Sequence, residues 1–472
     1  MKKRLKILIN TDSTVLPSGL AETTRNIFWP LLDKYGKDYI IQQVGWFHSP
    51  SPIQPRWNIV PTKFVEQNGQ RVPNQNDRYG QLTMPEVIKS FKPDIVFGYG
   101  DMWGFDHLCT SPMRNEYKLI TYYTVDGLPY QGHIEPDGGT IWGKTLARAD
   151  RVVALSKFGQ TTLLESMPEL DPNKVSWMHH PMNVERFKPL TEEEKENARA
   201  IHIGAKYHGQ PVIGFTGRNQ FRKQNHKLWE TLHYIVYGDY ITCNKCGKVT
   251  IKEWNPAAGK SMPLDRLTMY SAGYDYTSCW HCGSSDITAG VPRETLLALH
   301  TPKNDPSWNP DMMARLWHVE PYVAFTSLRE QNQSATPEQM AEIMGMYDVF
   351  YYPSGGEGFG DPVAEAMSCG TPIVYSNYSA HAEFACKGGL PVRVGQYQPE
   401  LNFCINRSVV DTGDAIVQLS KVLDDPVLAT ELGKGGREYA ISQDMNIVAD
   451  QWHQIFQTMA NTGGNKLYTA VI

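Results

Sequence analysis

Long hydrophobic runs are missing from this 472-residue chain: nothing in it approaches the roughly 18 consecutive apolar residues that cross a bilayer. The N-terminal stretch MKKRLKILINTDS turns polar after about six residues, too early for the apolar core of a signal peptide, and a cytosolic location is expected. An excess of one charge is missing too. Lys and Arg total 45 against 50 for Asp and Glu, a net charge of −5, so the balance demands no polyanionic partner, although a local basic groove would be hidden in such a sum. Cysteine is scarce. Four of the eight fall in two C-x-x-C pairs, Cys243/Cys246 and Cys279/Cys282, while Cys109, Cys369, Cys386 and Cys404 stand singly. That split argues against a disulfide framework and for one metal site plus buried thiols. No repeat of fixed period is visible.

What is present is a folded α/β composition: 41% apolar and 20% charged residues, with 39 Gly and 31 Pro spread along the length, excluding a disordered or collagenous chain. The length suits two or three domains, since single cores stop growing near ~250 residues. Short apolar segments at 5–10, 39–44, 94–100, 118–124 and 151–156 alternate with helical stretches at 20–35 and 84–91, the pattern of a parallel sheet covered on both faces. The polar stretch 179–197 reads as a linker running into the first helix of a second lobe. The alternation restarts at 211–217 and continues through 295–300, 322–327, 348–354 and 371–376, with three helices expected at 411–424, 426–442 and 447–460. Between 238 and 292 the rhythm breaks into an insertion rich in Cys, Gly, Lys, Trp and Tyr. Two such lobes facing one another would form a cleft at the carboxyl ends of both sheets, where ligands bind in these folds.

The most informative stretch is 354–372, SGGEGFGDPVAEAMSCGTP, which joins a strand to a helix expected to be capped by Asp361 with Pro362 at its first position. Gly358 and Gly360 free backbone N–H groups to approach a phosphate or sugar oxygen, and the helix N-terminus favours negative charge. Glu357 on the loop and Glu365 one turn into the helix can both face the cleft, where carboxylates accept paired hydrogen bonds from vicinal hydroxyls.

Here the chain resembles the retaining GT-B glycosyltransferases that use nucleotide-sugar donors, whose hallmark E-G-F-G-x-P-x-x-E-A-M-x-x-G-x-P is matched from Glu357 to Pro372. The resemblance implies a GT-B fold, two facing Rossmann-like domains of doubly wound parallel sheet; the family as a whole lacks the insertion at 238–292, which its own cysteines mark as a zinc-ribbon module. It also implies that Glu365 binds the donor ribose, and that Glu357 with the amides of Gly358, Phe359 and Gly360 binds the donor sugar. Gly217-Arg218 followed by Arg222-Lys223 matches the family's G-R-x-x-x-x-K turn, so Arg218 and Lys223 would neutralise the donor diphosphate. Arg222 next door is an alternative phosphate ligand or a surface charge. Fixed cations suit a leaving nucleoside diphosphate, which gains negative charge as the glycosidic bond breaks. No D-x-D occurs in the chain, and no catalytic metal is expected. Gly19, in the loop after the first strand, matches the family's glycine loop near donor phosphate and acceptor. After strand 118–124, Val125-Asp126 stands where many members carry His-Asp, and Asp126 is the group expected to orient the reacting sugar. The division expected from the strand and helix pattern together with the resemblance is residues 1–180 for an acceptor-side domain, 181–237 for the linker and start of the donor-binding domain, 238–292 for an inserted zinc ribbon that the family lacks, 293–445 for the rest of the donor domain, and 446–472 for a C-terminal helix packing back on the first domain.

In the insertion, Cys243-x-x-Cys246-Gly and Cys279-x-x-Cys282-Gly lie 32 residues apart. Each is a knuckle whose thiolates point inward from a tight turn, and four sulfurs satisfy a closed structural Zn2+ site with no open position for catalysis. The resemblance implies as partners a UDP- or GDP-linked sugar and an acceptor hydroxyl, on a glycan, a small molecule or a hydroxylated base in DNA, and the ribbon is expected to be a docking element for a large acceptor. The competing class is a non-catalytic module that binds nucleic acid or protein through the ribbon, using Trp254, Trp280, Tyr274 and Tyr276 with Lys245, Lys248 and Lys252. Five Lys/Arg against five Asp/Glu between 238 and 292 make no strong basic patch.

Overall fold

The structure is a computed structural model that describes residues 3–130, 139–251, 254–255, 260–261, 278–279, 281–305, 307–400 and 405–461. The apolar segments form two parallel sheets. In the first, the strands lie side by side in the order Asn58–Pro61, Tyr39–Trp46, Leu5–Asp12, Ile95–Gly100, Lys118–Tyr123, Arg151–Ala154 and Val175–Trp177. In the second the order is Val323–Phe325, Leu296–His300, Val212–Thr216, Val349–Tyr352, Ile373–Ser376 and Gly389–Val392. Neighbours are parallel throughout, with Leu5 opposite Tyr39 in one sheet and Val212 opposite Leu296 in the other. Strands such as Ile95–Gly100 and Val349–Tyr352 are buried along their whole length, as helices on both faces require. In each sheet the first strand of the chain lies inside, between the second strand and a later one, so both lobes have a switch point where a crevice opens beyond the carboxyl ends. The edge strands Asn58–Pro61, Val175–Trp177 and Gly389–Val392 are additions to the sequence expectation, being short and in two cases containing proline, which an edge tolerates.

The polar connection holds the helix Glu192–Arg199, started by a reciprocal capping box of Thr191 and Glu194. Its Lys195 and Arg199 both pair with Asp348, each at 2.7 Å, fastening it to the second lobe. After residue 411 come the helices Thr412–Asp424, Pro426–Ser442 and Met445–Asn461. The last returns to the first lobe, where Trp452 meets Phe97 at 5.2 Å and Phe456 stacks on Phe28 at 5.8 Å between ring centroids. Asp450 pairs with Lys34 and His453 with the Tyr39 hydroxyl. No helix among the described residues is long and apolar enough to cross a membrane.

The insertion leaves the helix His226–Tyr237 through Gly238, whose φ of +67° is left-handed and whose missing Cβ would lie 2.9 Å from the Gly290 carbonyl oxygen. It forms an antiparallel sheet in which Tyr240–Cys243 lies between Val249–Ile251 and Ile287–Ala289. This sheet rests on the helix Thr412–Asp424: Val249 packs at Gly413, and Arg293 pairs with Asp424. The side chains of Trp254 and Lys252, and residues Tyr274, Tyr276, Trp280 and Cys404, lie outside the described residues.

Candidate active site

Loops at the carboxyl ends of adjacent inner strands converge on Glu357. The turn after Val212–Thr216 and the turn after Val349–Tyr352 are neighbours because those strands pair, and a short helical turn at Phe221–Lys223 aims Arg222 and Lys223 across the gap. Glu357 is 5% exposed. One carboxylate oxygen accepts from Lys223 Nζ at 2.5 Å, the Tyr352 hydroxyl at 2.9 Å and the Ser354 hydroxyl at 2.5 Å. The other accepts from Arg222 Nη1 at 2.7 Å. Burial opposes its charge, but Arg222 and Lys223 outweigh burial and hold the carboxyl well below the usual range. Burial also brings Lys223 down to about 8 against the pull of Glu357.

Arg218 goes elsewhere. Its guanidinium makes two 2.8 Å hydrogen bonds to Asp305 at the exposed rim, so the cations gathered on Glu357 are Arg222 and Lys223. The side chain of Glu365, in the second turn of the helix Asp361–Ser368, has no hydrogen bond or ion pair with the described residues, while its carbonyl oxygen accepts from the Cys369 N–H. Burial, with Asp361 and Glu22 nearby, raises its carboxyl.

Asp361 does not cap its helix. Gly360, at a φ of +105°, occupies the cap position, Asp361 is the first helical residue and Pro362 the second. The reason is a stronger partner across the cleft: the Asp361 carboxylate lies 2.6 Å from His180 Nδ1, whose Nε2 is 3.0 Å from the Tyr99 hydroxyl. Beside it His179 bridges Glu383 at 2.9 Å and Tyr439 at 2.7 Å. The adjacent histidines of the connection thus bind both lobes, a role that the polar reading of that stretch had no means to show.

The first lobe presents Gly19 and Asp126 to the same cleft. A Cβ on Gly19 would stand 3.5 Å from the Asp361 carboxylate, and one on Gly358 only 2.3 Å from the Thr124 side chain, so at 358 glycine is required by close approach of the other lobe. Phe359 is buried, its ring 4.5 Å from that of His180 and 4.7 Å from that of Phe384. Asp126 is held by Arg407, whose Nη1 lies 3.0 Å from its carboxylate and 2.9 Å from its carbonyl oxygen. Arg407 is a residue that sequence reading missed. It comes from the antiparallel hairpin Val394–Glu400 and Ile405–Val410, where it also pairs with Glu400. Asp101, after the strand Ile95–Gly100, is a second omission; burial and the charge of Asp126 push it up to about 7, against Arg222 and Arg407.

In the insertion Cys243, Cys246, Cys279 and Cys282 bring their sulfurs within 4.8 Å of one another. Cys243 and Cys282 are 3.6 Å apart, and Cys246 and Cys279 3.5 Å. With Zn–S near ~2.3 Å the edge of a tetrahedral site is about 3.8 Å. Four thiols with these separations fit a closed metal site.

Residues 331–438 match the family model described as Glycosyl transferases group 1. This segment carries the group 1 glycosyl transferase signature. Over 53 residues the chain is 54% identical to O-antigen chain mannosyltransferase B of Escherichia coli, covering 11% of this chain and 14% of that one. Over 131 residues it is 32% identical to a phosphatidyl-myo-inositol mannosyltransferase of Mycobacterium leprae, covering 28% and 31%. The chain thus spans less than a third of the length of these curated relatives. Anabaena Alr3699/HepE, solved in complex with UDP and glucose, superposes with a TM-score of 0.60 at 12% identity, covering 96% of this chain and 100% of that one. The architecture is GT-B, two facing α/β lobes, and the Glu357 loop lies inside the group 1 segment.

Proposed function

We propose that the protein is a retaining glycosyltransferase that moves a sugar from a UDP- or GDP-linked donor to an acceptor hydroxyl. The observation that carries this reading is the Glu357 centre: two cations held on one buried carboxylate beside a helix N-terminus, in a cleft between GT-B lobes. The mannosyltransferase relatives and the UDP-bound neighbour support a nucleotide-sugar donor.

In this reading Lys223, with Arg222 beside it and Arg218 at the start of the same turn, neutralises the diphosphate as it leaves. Glu365 takes the ribose hydroxyls, its carboxylate being uncommitted. Glu357 and the amides of Gly358, Phe359 and Gly360 hold the donor sugar, Gly19 lies by the phosphates, and Asp126, fixed by Arg407, orients the reacting sugar. Glu357 already accepts four hydrogen bonds and is a poor nucleophile, which favours the front-face course attributed to the resembling enzymes, in which the leaving phosphate assists deprotonation of the acceptor. The four cysteines would hold a structural Zn2+ that ties the insertion together. The unpaired thiols suit a reducing compartment such as the cytosol. A non-catalytic module would have no use for this set of charges.

Incubation with a radiolabelled panel of UDP- and GDP-sugars tests the reading. Slow release of free sugar with the α configuration of the donor is expected without acceptor, and absence of hydrolysis together with absence of donor binding would overturn it.

A further inference from the structure

A backbone bend that suits glycine is made by a serine at the turn behind the Glu357 loop. Seven non-glycine residues among those described have a left-handed φ, and five of them are exposed or half-buried. The two buried ones are Gln224 and Ser379, and both lie against residues 354–357. Ser379, at a φ of +63°, opens the helix Ser379–Ala385 after the strand Ile373–Ser376. Its Cβ makes that conformation unfavourable compared with glycine, and such strain persists only where the surroundings enforce it. What glycine would lack is the hydroxyl, and the Ser379 hydroxyl oxygen accepts from the Glu357 N–H at 2.9 Å.

That bond completes a run of held backbone groups. The Ser354 carbonyl accepts from the Ser376 hydroxyl, the Gly355 N–H donates to the Arg222 carbonyl at 2.6 Å, and the Gly356 carbonyl accepts from Arg222 Nη1 at 3.0 Å. The next three N–H groups, of Gly358, Phe359 and Gly360, donate to no described residue. Behind the run stands His381, fully buried, its Nε2 3.1 Å from the Ser376 hydroxyl and its Nδ1 3.4 Å from the Ser379 hydroxyl. Ser376 gives its proton to the Ser354 carbonyl, so it accepts from His381 Nε2–H; Nδ1 is then a bare acceptor for the Ser379 proton, which leaves the Ser379 oxygen to the Glu357 N–H. Burial brings His381 down to about 4 against the pull of Glu357, and the neutral ring is the form this chain of bonds requires. His381 also closes on Gly360, where an added Cβ would stand 2.8 Å from its own.

We infer that Ser379 is a positioning residue for the transfer reaction, one end of a Ser376–His381–Ser379 clamp that fixes the peptide between Gly356 and Glu357 and so aims the Glu357 carboxylate and the next three amides into the cleft. The inference rests on the glycosyltransferase reading and extends its machinery to a turn outside the Glu357 loop. It also explains the strain: glycine would relieve the backbone at 379 but leave the Glu357 N–H without its acceptor.

Donor hydrolysis, thermal melting and hydrogen exchange of the full chain test it with Ser379→Gly and Ser379→Ala. Both lack the hydroxyl and only glycine relieves the strain, so Ser379→Gly should melt above Ser379→Ala. Turnover of UDP- and GDP-sugars should nevertheless fall in both by about tenfold or more, with KM changed less than about threefold, because Lys223 and Glu365 still hold diphosphate and ribose. In the donor-free protein, exchange of the Glu357 amide, followed by mass spectrometry over residues 354–361, should quicken about tenfold in both variants. Wild-type turnover in Ser379→Gly, turnover that follows the melting temperatures, or unchanged exchange at Glu357 would overturn the inference. Wild-type hydrolysis separates the two layers. An active wild type with an equally active Ser379→Gly removes the positioning role and leaves the transferase reading; faster Glu357 exchange in the variants of a protein that neither binds nor hydrolyses any donor removes that reading and leaves a structural tie.

Discussion

The two walls of the cleft are built on different plans. On the second lobe, Arg222, Lys223, Tyr352, Ser354 and Glu357 come from two neighbouring turns and satisfy one another within a few ångströms. On the first lobe, Asp101 and Asp126 lie apart on separate turns, and Asp126 borrows its cation from Arg407, 281 residues along the chain. One wall is prearranged by local chain geometry, and the other is completed only when the lobes meet. The first plan suits what stays constant in a reaction class, the diphosphate and donor sugar, and the second suits what varies.

The largest expected effect breaks the prearranged wall. Glu357→Ala leaves the buried Lys223 and the partly exposed Arg222 without their carboxylate and should destabilise the fold by about 3–5 kcal/mol, read by denaturant unfolding. Turnover should be lost as well.

Next comes the borrowed cation. Arg407→Met removes a charged hydrogen bond worth ~1.5–3 kcal/mol and so should lower kcat about 10- to 100-fold, with a smaller change in donor affinity if Asp126 acts on the sugar as the bond breaks. Equal losses in both would reduce Arg407 to a general structural tie between the lobes.

A change of pH acts on the same contrast. The folded carboxyl of Glu357 lies below its unfolded value of ~4.3, so its share of stability is fully present above that pH and is lost as pH falls further. Lys223 at about 8 has the reverse bearing on binding: its charge is present below that pH, and donor affinity should decline as pH rises through it. A calorimetric pH series from 6 to 10 checks the alkaline limb, and acid unfolding of Glu357→Gln against wild type checks the other.

The smallest effect on chemistry should come from the cysteine cluster. Chelation, or any one Cys→Ser change among Cys243, Cys246, Cys279 and Cys282, should lower bound zinc and loosen residues 238–292 in hydrogen exchange while donor hydrolysis survives. Loss of hydrolysis in a still-folded, zinc-free protein would contradict a structural metal.

The same division explains what could be read from the sequence. Inner strands such as 348–354 show themselves as apolar runs, and the helices after 411 by their period. The Glu357 loop is one contiguous stretch that matches a family hallmark, and each cysteine knuckle is marked by its own C-x-x-C-G spacing. The hairpin Val394–Glu400 and Ile405–Val410 was not legible, because its first strand is largely exposed and has no apolar alternation. Asp101 and Arg407 are lone residues whose meaning depends on long-range approach. Asp361 was misread as a cap because the competing partner, His180, lies in the other part of the chain.

The central claim, that the prearranged wall receives a nucleotide sugar, meets its most direct test in calorimetric titration of the full chain with UDP- and GDP-sugars, using wild type, Lys223→Ala and Glu365→Gln. Wild type should bind one donor class at a single site, and each variant should bind it at least tenfold more weakly. Absence of binding to every nucleotide sugar, or equal affinity in all three proteins, would contradict the account.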